Sequence, residues 1–268
     1  MTDTITSFKL GYGGQAVLNG TRVLVTSGNM ENSVNPVYTN AYSQPVSTDS
    51  RSRVLHADGT VTHTGTIGFD LTTDSLSALK PLVSRGAVFK VGLYDGENGM
   101  EMEKCYVTSI SMNGSPSGFI TASVGFSSAF PASKADGGSA NNRDGFTENI
   151  IPYWWSGNSY VRDWSFSFNQ QVVPKFANKN SYLLQNEGIL ASSPLYLFIG
   201  EIDCSLDFTT FVPLVTDTVS VASSGFRIVG RTNGSSYGFA GQNDLGTYKY
   251  SIVSSAIGTN DSAVLTIT

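Results

Sequence analysis

Two histidines, His56 and His63, are the residues of this chain best suited to binding a metal ion. They flank Asp58-Gly59, a pair that favours a two-residue turn, so the sequence predicts a hairpin with one histidine on each arm. If Val54 faces His63, the two imidazoles are diagonal neighbours on one face and could hold a metal. Because no cysteine stands near them, we favour ordinary exposed hairpin residues and expect no metal site.

Glu201 and Asp203 alternate along a predicted strand and share a face, as the two carboxylates of an acid/base catalyst can. The same spacing describes a solvated strand face, which is the commoner case. The chain has no Gly-x-Ser-x-Gly elbow beside a predicted helix, no Walker loop and no dinucleotide fingerprint. The sequence therefore predicts no catalytic residues, no cofactor and no enzyme activity.

An aromatic cluster, Tyr153-Trp154-Trp155 with Tyr160, could stack on sugar rings. Such clusters more often form core or subunit contacts, so carbohydrate binding stays as an alternative. The two cysteines, Cys105 and Cys204, adjoin apolar alternations and are predicted to be buried free thiols.

The composition points to a protein that contacts other proteins. Charged residues make up 14% of the 268 residues, against about 25% in ordinary soluble domains. A surface of hydroxyls and amides costs less to bury against a partner than a charged one. The net charge of −5 argues against tight nucleic-acid binding. With no signal pattern at the start and no apolar run of about 18 residues, we expect synthesis in a cytoplasm and no membrane partner.

Period-two alternation dominates the chain and predicts an all-β fold with minor α. Residues 61–71 alternate in this way, and further strands are predicted at Val88–Tyr94, Met100–Met112 and Phe119–Phe126. One helix is predicted at Thr73–Leu82, from a Thr or Asp cap, spaced leucines and a closing Lys-Pro. A weaker helix is predicted at its second-half counterpart, Asp207–Leu214.

Short segments of the first half recur in order in the second. The residues Val34, Pro36, Tyr38, Asn40 and Ser43 return 138 positions later as Val172, Pro174, Phe176, Asn178 and Ser181. Ile67-Gly68 matches Ile199-Gly200 at a spacing of 132, and Ser127-Ser128-Ala129 matches Ser254-Ser255-Ala256 at 127. Loop insertions and deletions produce such a drift. The order predicts two tandem β domains, 1–130 and 145–268, joined by a polar linker at 131–144; the alternative is similar turn chemistry met twice in one large domain.

These features together resemble the bacteriophage tail tube family. The segments that carry the resemblance are GYGGQAVLNGTRVLV, the long polar segment from Ser33 to Leu71, DSLSALKPLV and their second-half counterparts. The resemblance implies two antiparallel β-sandwich or barrel domains, each with one short helix. It also implies six domains per ring, so that three fused chains form a pseudo-hexameric trimer. Stacked rings would form the channel for genome ejection in the virion tail, after synthesis in the host cytoplasm.

The resemblance further implies where rings meet and what they meet. By position, the inter-ring loop of the first domain contains Ser47, Asp49, Arg51, Arg53, His56, Asp58 and Gly59, and a shorter second-domain loop contains Asn186, Glu187 and Gly188. The implied partners are further copies of the chain, the tail terminator, baseplate and tape measure, a sheath in contractile tails, and DNA that passes without specific binding. The weak second helix and short second loop favour a baseplate hub, tube initiator or distal tail protein as the alternative.

Overall fold

The computed structural model describes residues 7–9, 14–40, 54–115, 118–136, 156–157, 161–175, 196–210, 218–223, 226–231, 236–242, 248–254 and 263–267. The first nine strands are β1 (Ser7–Lys9), β2 (Gln15–Leu18), β3 (Thr21–Asn40), β4 (Val54–Asp70), β5 (Val88–Tyr94), β6 (Asn98–Gly114), β7 (Thr121–Ser128), β8 (Ser133–Asp136) and β9 (Ser156–Gly157). The other seven are β10 (Val161–Lys175), β11 (Tyr196–Thr210), β12 (Thr218–Ser223), β13 (Phe226–Arg231), β14 (Ser236–Gln242), β15 (Tyr248–Ser254) and β16 (Ala263–Ile267). The predicted all-β class with minor α is confirmed.

Six strands of the first half close into an antiparallel barrel, in the order β2-β3-β4-β7-β6-β5 and back to β2. Side chains point alternately inward and outward along each strand. The inward ones form a hydrophobic core. Phe69 and Phe126 are at most 1% exposed, and Phe89 meets Phe126 edge to face, with 6.0 Å between ring centroids. Gly65 lies against the Phe126 ring, where a Cβ atom would overlap it.

The helix predicted in the first half is confirmed as α1 (Thr73–Leu79), followed by one 3₁₀ turn at Lys80–Leu82. Thr72 caps it: the Ser75 amide donates to the Thr72 hydroxyl at 3.1 Å, and the Thr72 amide donates to the Ser75 hydroxyl at 2.8 Å. This reciprocal pair satisfies two amides that a helix start leaves without partners. Leu79 is fully buried against the barrel core.

The hairpin predicted around Asp58-Gly59 is wrong, because both residues lie inside β4. The partner of β4 is β3, in a register that passes from Asn35↔Thr60 to Val37↔Ala57. Asp58 and Gly59 together therefore stand opposite Pro36 alone, as in a β-bulge. Proline has no amide hydrogen to donate, so a bulge at this place costs the ladder little.

The second half adds strands to the barrel sheet and forms a second, smaller sheet. The order across the larger sheet is β6-β10-β11-β15-β14, and the smaller one is β16-β13-β12-β9. The second predicted helix is wrong for Asp207–Thr210, which belong to β11 and pair with both β10 and β15. Pairing along two edges outweighs a weak local helix signal. Residues 211–214 lie outside the described part of the chain.

Strand β6 joins the two halves. Trp164–Asn169 of β10 pair with Ser109–Gly114 of β6, so the barrel strands and the second-half strands form one 12-stranded sheet. Strand β8, which lies inside the predicted linker, also pairs with β6, through Asn98–Glu101. The described part of the predicted linker is therefore bound to the barrel.

Candidate assembly surface

The two histidines are far apart. His56 pairs with Tyr38, and His63 pairs with Asn32 seven positions further along β4, which at about 3.3 Å per residue separates them by about 23 Å. The idea of diagonal neighbours on a hairpin is therefore wrong. Within the described ranges, no three His, Cys, Asp or Glu side chains lie together in a way that could hold a metal ion.

His63 instead belongs to a buried polar contact that the sequence did not indicate. The amide of Ala132 donates to Oδ1 of Asn32 at 3.1 Å, and Nδ2 of Asn32 donates to the Ala132 carbonyl at 3.5 Å. Nδ1 of His63 lies 2.9 Å from the same Oδ1, so it is the protonated ring nitrogen. Burial lowers the pKa of His63 to about 4. The Asn32 side chain thus makes with Ala132, in the segment after β7, the pair of hydrogen bonds that a neighbouring strand would make.

A second buried amide, Gln170, lies where the two halves meet. Its Oε1 accepts from the Gly86 amide at 2.8 Å, and its Nε2 donates to the Val107 carbonyl at 2.8 Å. At this point β5 leaves the edge of β6 and β10 takes over that edge. Diverging strands leave backbone groups without ladder partners, and the Gln170 amide satisfies one donor and one acceptor there. Nearby, Arg85 donates to the Ile199 carbonyl at 3.3 Å.

The outer face of β10 and β11 is polar. Glu201 and Asp203 are both exposed on it, in line with the exposed Asp207. Between these carboxylates, the hydroxyls of Ser167 and Ser205 are hydrogen-bonded at 2.7 Å. The two carboxylates that could have formed a catalytic pair are thus part of a wider solvated face of hydroxyls and acids.

The outer face turns aromatic where β10 ends and β11 begins. Tyr196 is 56% and Phe198 55% exposed, although Leu197 between them is buried. The ammonium of Lys175 lies 6.0 Å from the Phe198 ring centroid. Exposed aromatic rings are typical of contact surfaces for other molecules.

A charged cluster lies on the barrel surface. Lys90 contacts Glu101 at 2.6 Å and Glu103 at 3.5 Å, and the Tyr94 hydroxyl donates to Glu101. Burial, and after it the hydrogen bond to Glu101, raises the pKa of Tyr94 to about 12. The hydrogen bond from Lys90 lowers the pKa of Glu101. These contacts link the neighbouring strands β5 and β6 on the outer surface of the barrel.

Both cysteines are free and buried, as predicted. Burial raises the pKa of the Cys105 thiol and raises the pKa of Cys204 to about 12. Trp164 is a buried aromatic that the sequence did not single out, and it packs on Gly114 across the junction of β6 and β10. The cluster at 153–155 and Tyr160 lie outside the described residues.

The candidate loop residues fall partly on β4. His56, Asp58 and Gly59 lie in the outer part of that strand. The other candidates lie outside the described residues: Ser47, Asp49, Arg51, Arg53, Asn186, Glu187 and Gly188. In each half the hairpin that leads to these positions is present, as β3–β4 in the first and β10–β11 in the second.

No protein-family model matches this chain, and no curated protein matches it. Among the described residues, no helix is both long enough and apolar enough to cross a membrane.

Proposed function

We propose that this chain is a structural subunit of a phage tail tube, and that its two halves are copies of one β domain that assemble as rings of three chains. One observation carries the proposal. The sheet order β3-β4-β7-β6 of the first half recurs as β10-β11-β15-β14 in the second, with the strands in the same order along the chain. Duplication of one domain produces the same two orders in both halves.

The recurrence extends to rows of single residues across the strands. Several rows in each half cross all four strands. At the spacing of 138, the row that contains Gly28 corresponds to the row that contains Phe166. The first row is Gly28, Ile67, Val124 and Ile110, and the second is Phe166, Leu206, Ile252 and Tyr237. In this correspondence the counterpart of Ile67 is Leu206, which differs from the sequence match of Ile67 to Ile199 at a spacing of 132.

Burial and hairpin length repeat as well. Residues 29–32 and 167–170 share the pattern half-buried, buried, exposed, buried, and each set ends in a buried amide, Asn32 or Gln170. Val34 pairs with Val61, and Val172 pairs with Ile199, so both hairpins enclose the same length of chain between these pairs. These correspondences support the spacing of 138. The shorter second loop expected from the sequence lies outside the described residues.

The surface suits a channel subunit. The exposed carboxylates of β11 lie near the hydrogen-bonded Ser167 and Ser205, and acidic groups repel phosphate, which lets DNA slide without binding. Aromatic and low-charge surfaces support contacts with further copies and with the other tail proteins. A baseplate hub or tube initiator built from the same rings is the alternative within this class.

Electron microscopy of the concentrated protein tests the proposal. We expect rings with a central channel, three chains by native mass spectrometry, and six similar lobes in projection. Rings that stack into tubes support the tube subunit, whereas rings that never stack support the hub or initiator. A protein that stays monomeric at every concentration, salt and pH condition contradicts both.

A sugar-binding module is a second candidate, favoured by the two exposed rings Tyr196 and Phe198. Stacking on a sugar ring requires such exposed aromatic faces. A glycan array should then show binding that Phe198→Ala abolishes and Val88→Ala, which removes another exposed apolar side chain, preserves. A tube subunit should bind no glycan in either form.

A further inference from the structure

On the edge of β3 that faces away from β4, β2 pairs with residues 21–23, and a very short strand, β1, covers residues 29–31. Ser7 pairs with Glu31, Phe8 with Met30 and Lys9 with Asn29. An uncovered strand edge offers unpaired backbone groups to any other strand, and proteins commonly cover such edges. Strand β1 thus closes this part of β3 to other chains.

The matching edge in the second half is covered by a much longer strand. Residues 29–31 of β3 correspond to residues 167–169 of β10 at the spacing of 138. On β10 these positions pair with β6, in the register Ser109↔Asn169, Ile110↔Phe168 and Ser111↔Ser167. Strand β1 therefore holds on β3 the place that the first-half strand β6 holds on β10.

The strand that corresponds to β6 in the second half is β14, because Tyr237 stands in the row position of Ile110. Within the described residues β14 pairs with β15 and with no other strand. Inside the chain, the edge of β10 is paired with β6. The corresponding edge of β3 is covered only by β1 at residues 29–31, and the β14 edge that corresponds to β6 is unpaired within the described residues.

We propose that β1 is a displaceable cover, and that the β14 edge of a second copy replaces it on β3 during assembly. This inference rests on the proposed duplication. The intrachain junction fixes the register: Tyr237 of one copy lies opposite Met30 of the next, with Ser236 opposite Glu31 and Gly238 opposite Asn29. Backbone hydrogen bonds of β1 are exchanged for equivalent bonds to β14, as in the addition of a strand to a sheet edge. The exchange favours β14 because it offers seven residues against three in β1.

Cysteine pairs at the three equivalent positions test this exchange in the full chain. Ser7→Cys with Glu31→Cys locks β1 onto β3. Glu31→Cys with Ser236→Cys joins one copy to the next only if β14 lies on β3. Ser109→Cys with Asn169→Cys is the matched control, since it locks the β6–β10 pairing that assembly leaves intact. Cross-strand neighbours have Cβ atoms within about 5.5 Å of each other, which suits a disulfide.

We expect the oxidised lock at 7 and 31 to abolish rings in electron microscopy and the reductant to restore them, while the oxidised control forms rings as the parent does. The pair at 31 and 236 should give covalent dimers and trimers on non-reducing gels. Rings from the oxidised lock, or rings without a link between 31 and 236, overturn the exchange and leave the tube proposal standing. Absence of rings from the parent protein overturns both.

Discussion

Replacing Gln170 by leucine tests whether the two halves are held together by the buried amide at their junction. Leucine keeps the size of the side chain but removes the acceptor for the Gly86 amide and the donor to the Val107 carbonyl, both at 2.8 Å. A buried backbone group that loses its partner costs about 1 to 3 kcal/mol. Two such groups, less what leucine gains by burial, lower the free energy of unfolding by about 2 to 4 kcal/mol.

Urea denaturation, followed by tryptophan fluorescence, measures this change. Trp164 is buried on the same strand and packs across the same junction, so its emission reports on the region. Gln171→Leu is the control, because the neighbouring amide is exposed and its loss should change stability by less than about 0.5 kcal/mol. If Gln170→Leu and Gln171→Leu unfold at the same urea concentration as the parent, the argument about unpaired backbone groups is refuted.

Three further predictions follow from single contacts. Gly114→Ala places a Cβ atom in steric overlap with the Trp164 indole of the neighbouring strand and should lower the free energy of unfolding by about 1 to 3 kcal/mol in thermal denaturation. Gly118→Ala, with open space around it, should not. Because the pKa of His63 is lowered to about 4, the unfolded chain binds its proton first, so stability falls as the pH drops from about 6.5 to about 4, by about 3 kcal/mol in all. Glu101→Gln should lower the pKa of Tyr94 in an ultraviolet titration from about 12 but leave it above about 10, because burial remains.

Each of these has a result that contradicts it. Equal melting temperatures for Gly114→Ala and Gly118→Ala would mean that the indole moves aside without cost. For the histidine, the comparison is between the parent and His63→Gln, which removes one proton site and leaves every carboxylate in place; parallel stability curves from pH 7 to pH 4 refute the assignment. For the tyrosine, an unchanged titration in Glu101→Gln shows that burial alone shifts its pKa.

Local signals in the sequence predicted the elements whose causes are local. The first helix has its cap, spaced leucines and closing proline within ten residues, and the strands of the barrel show their alternation directly. Asp58-Gly59 gave an equally clear local signal for a turn, but pairing with β3 over fifteen residue pairs turned it into a bulge. The register of β3 depends on residues far away in sequence, which no window around Gly59 contains.

The buried amides were missed for a related reason. Asn32 and Gln170 look like ordinary polar residues in a Ser/Thr/Asn-rich chain, and their role appears only where strands diverge and leave backbone groups unpaired. One signal was available: both stand at inward positions of their alternation, 138 residues apart and two residues before the recurring segment that begins at Val34 and Val172. An inward polar residue that recurs in a repeat is a candidate for a buried hydrogen bond.

The long strand β6 should hold the two halves of the chain together even after the chain is cut. It is hydrogen-bonded to β5, β7, β8 and β10, so strands from both halves depend on one 17-residue segment. Fragments produced by separating the chain between residues 136 and 156 should therefore recognise each other and reassociate when mixed. If the fragments reassociate through the β6–β10 pairing, the stretch between residues 136 and 156 becomes a suitable place to split the chain and attach reporters.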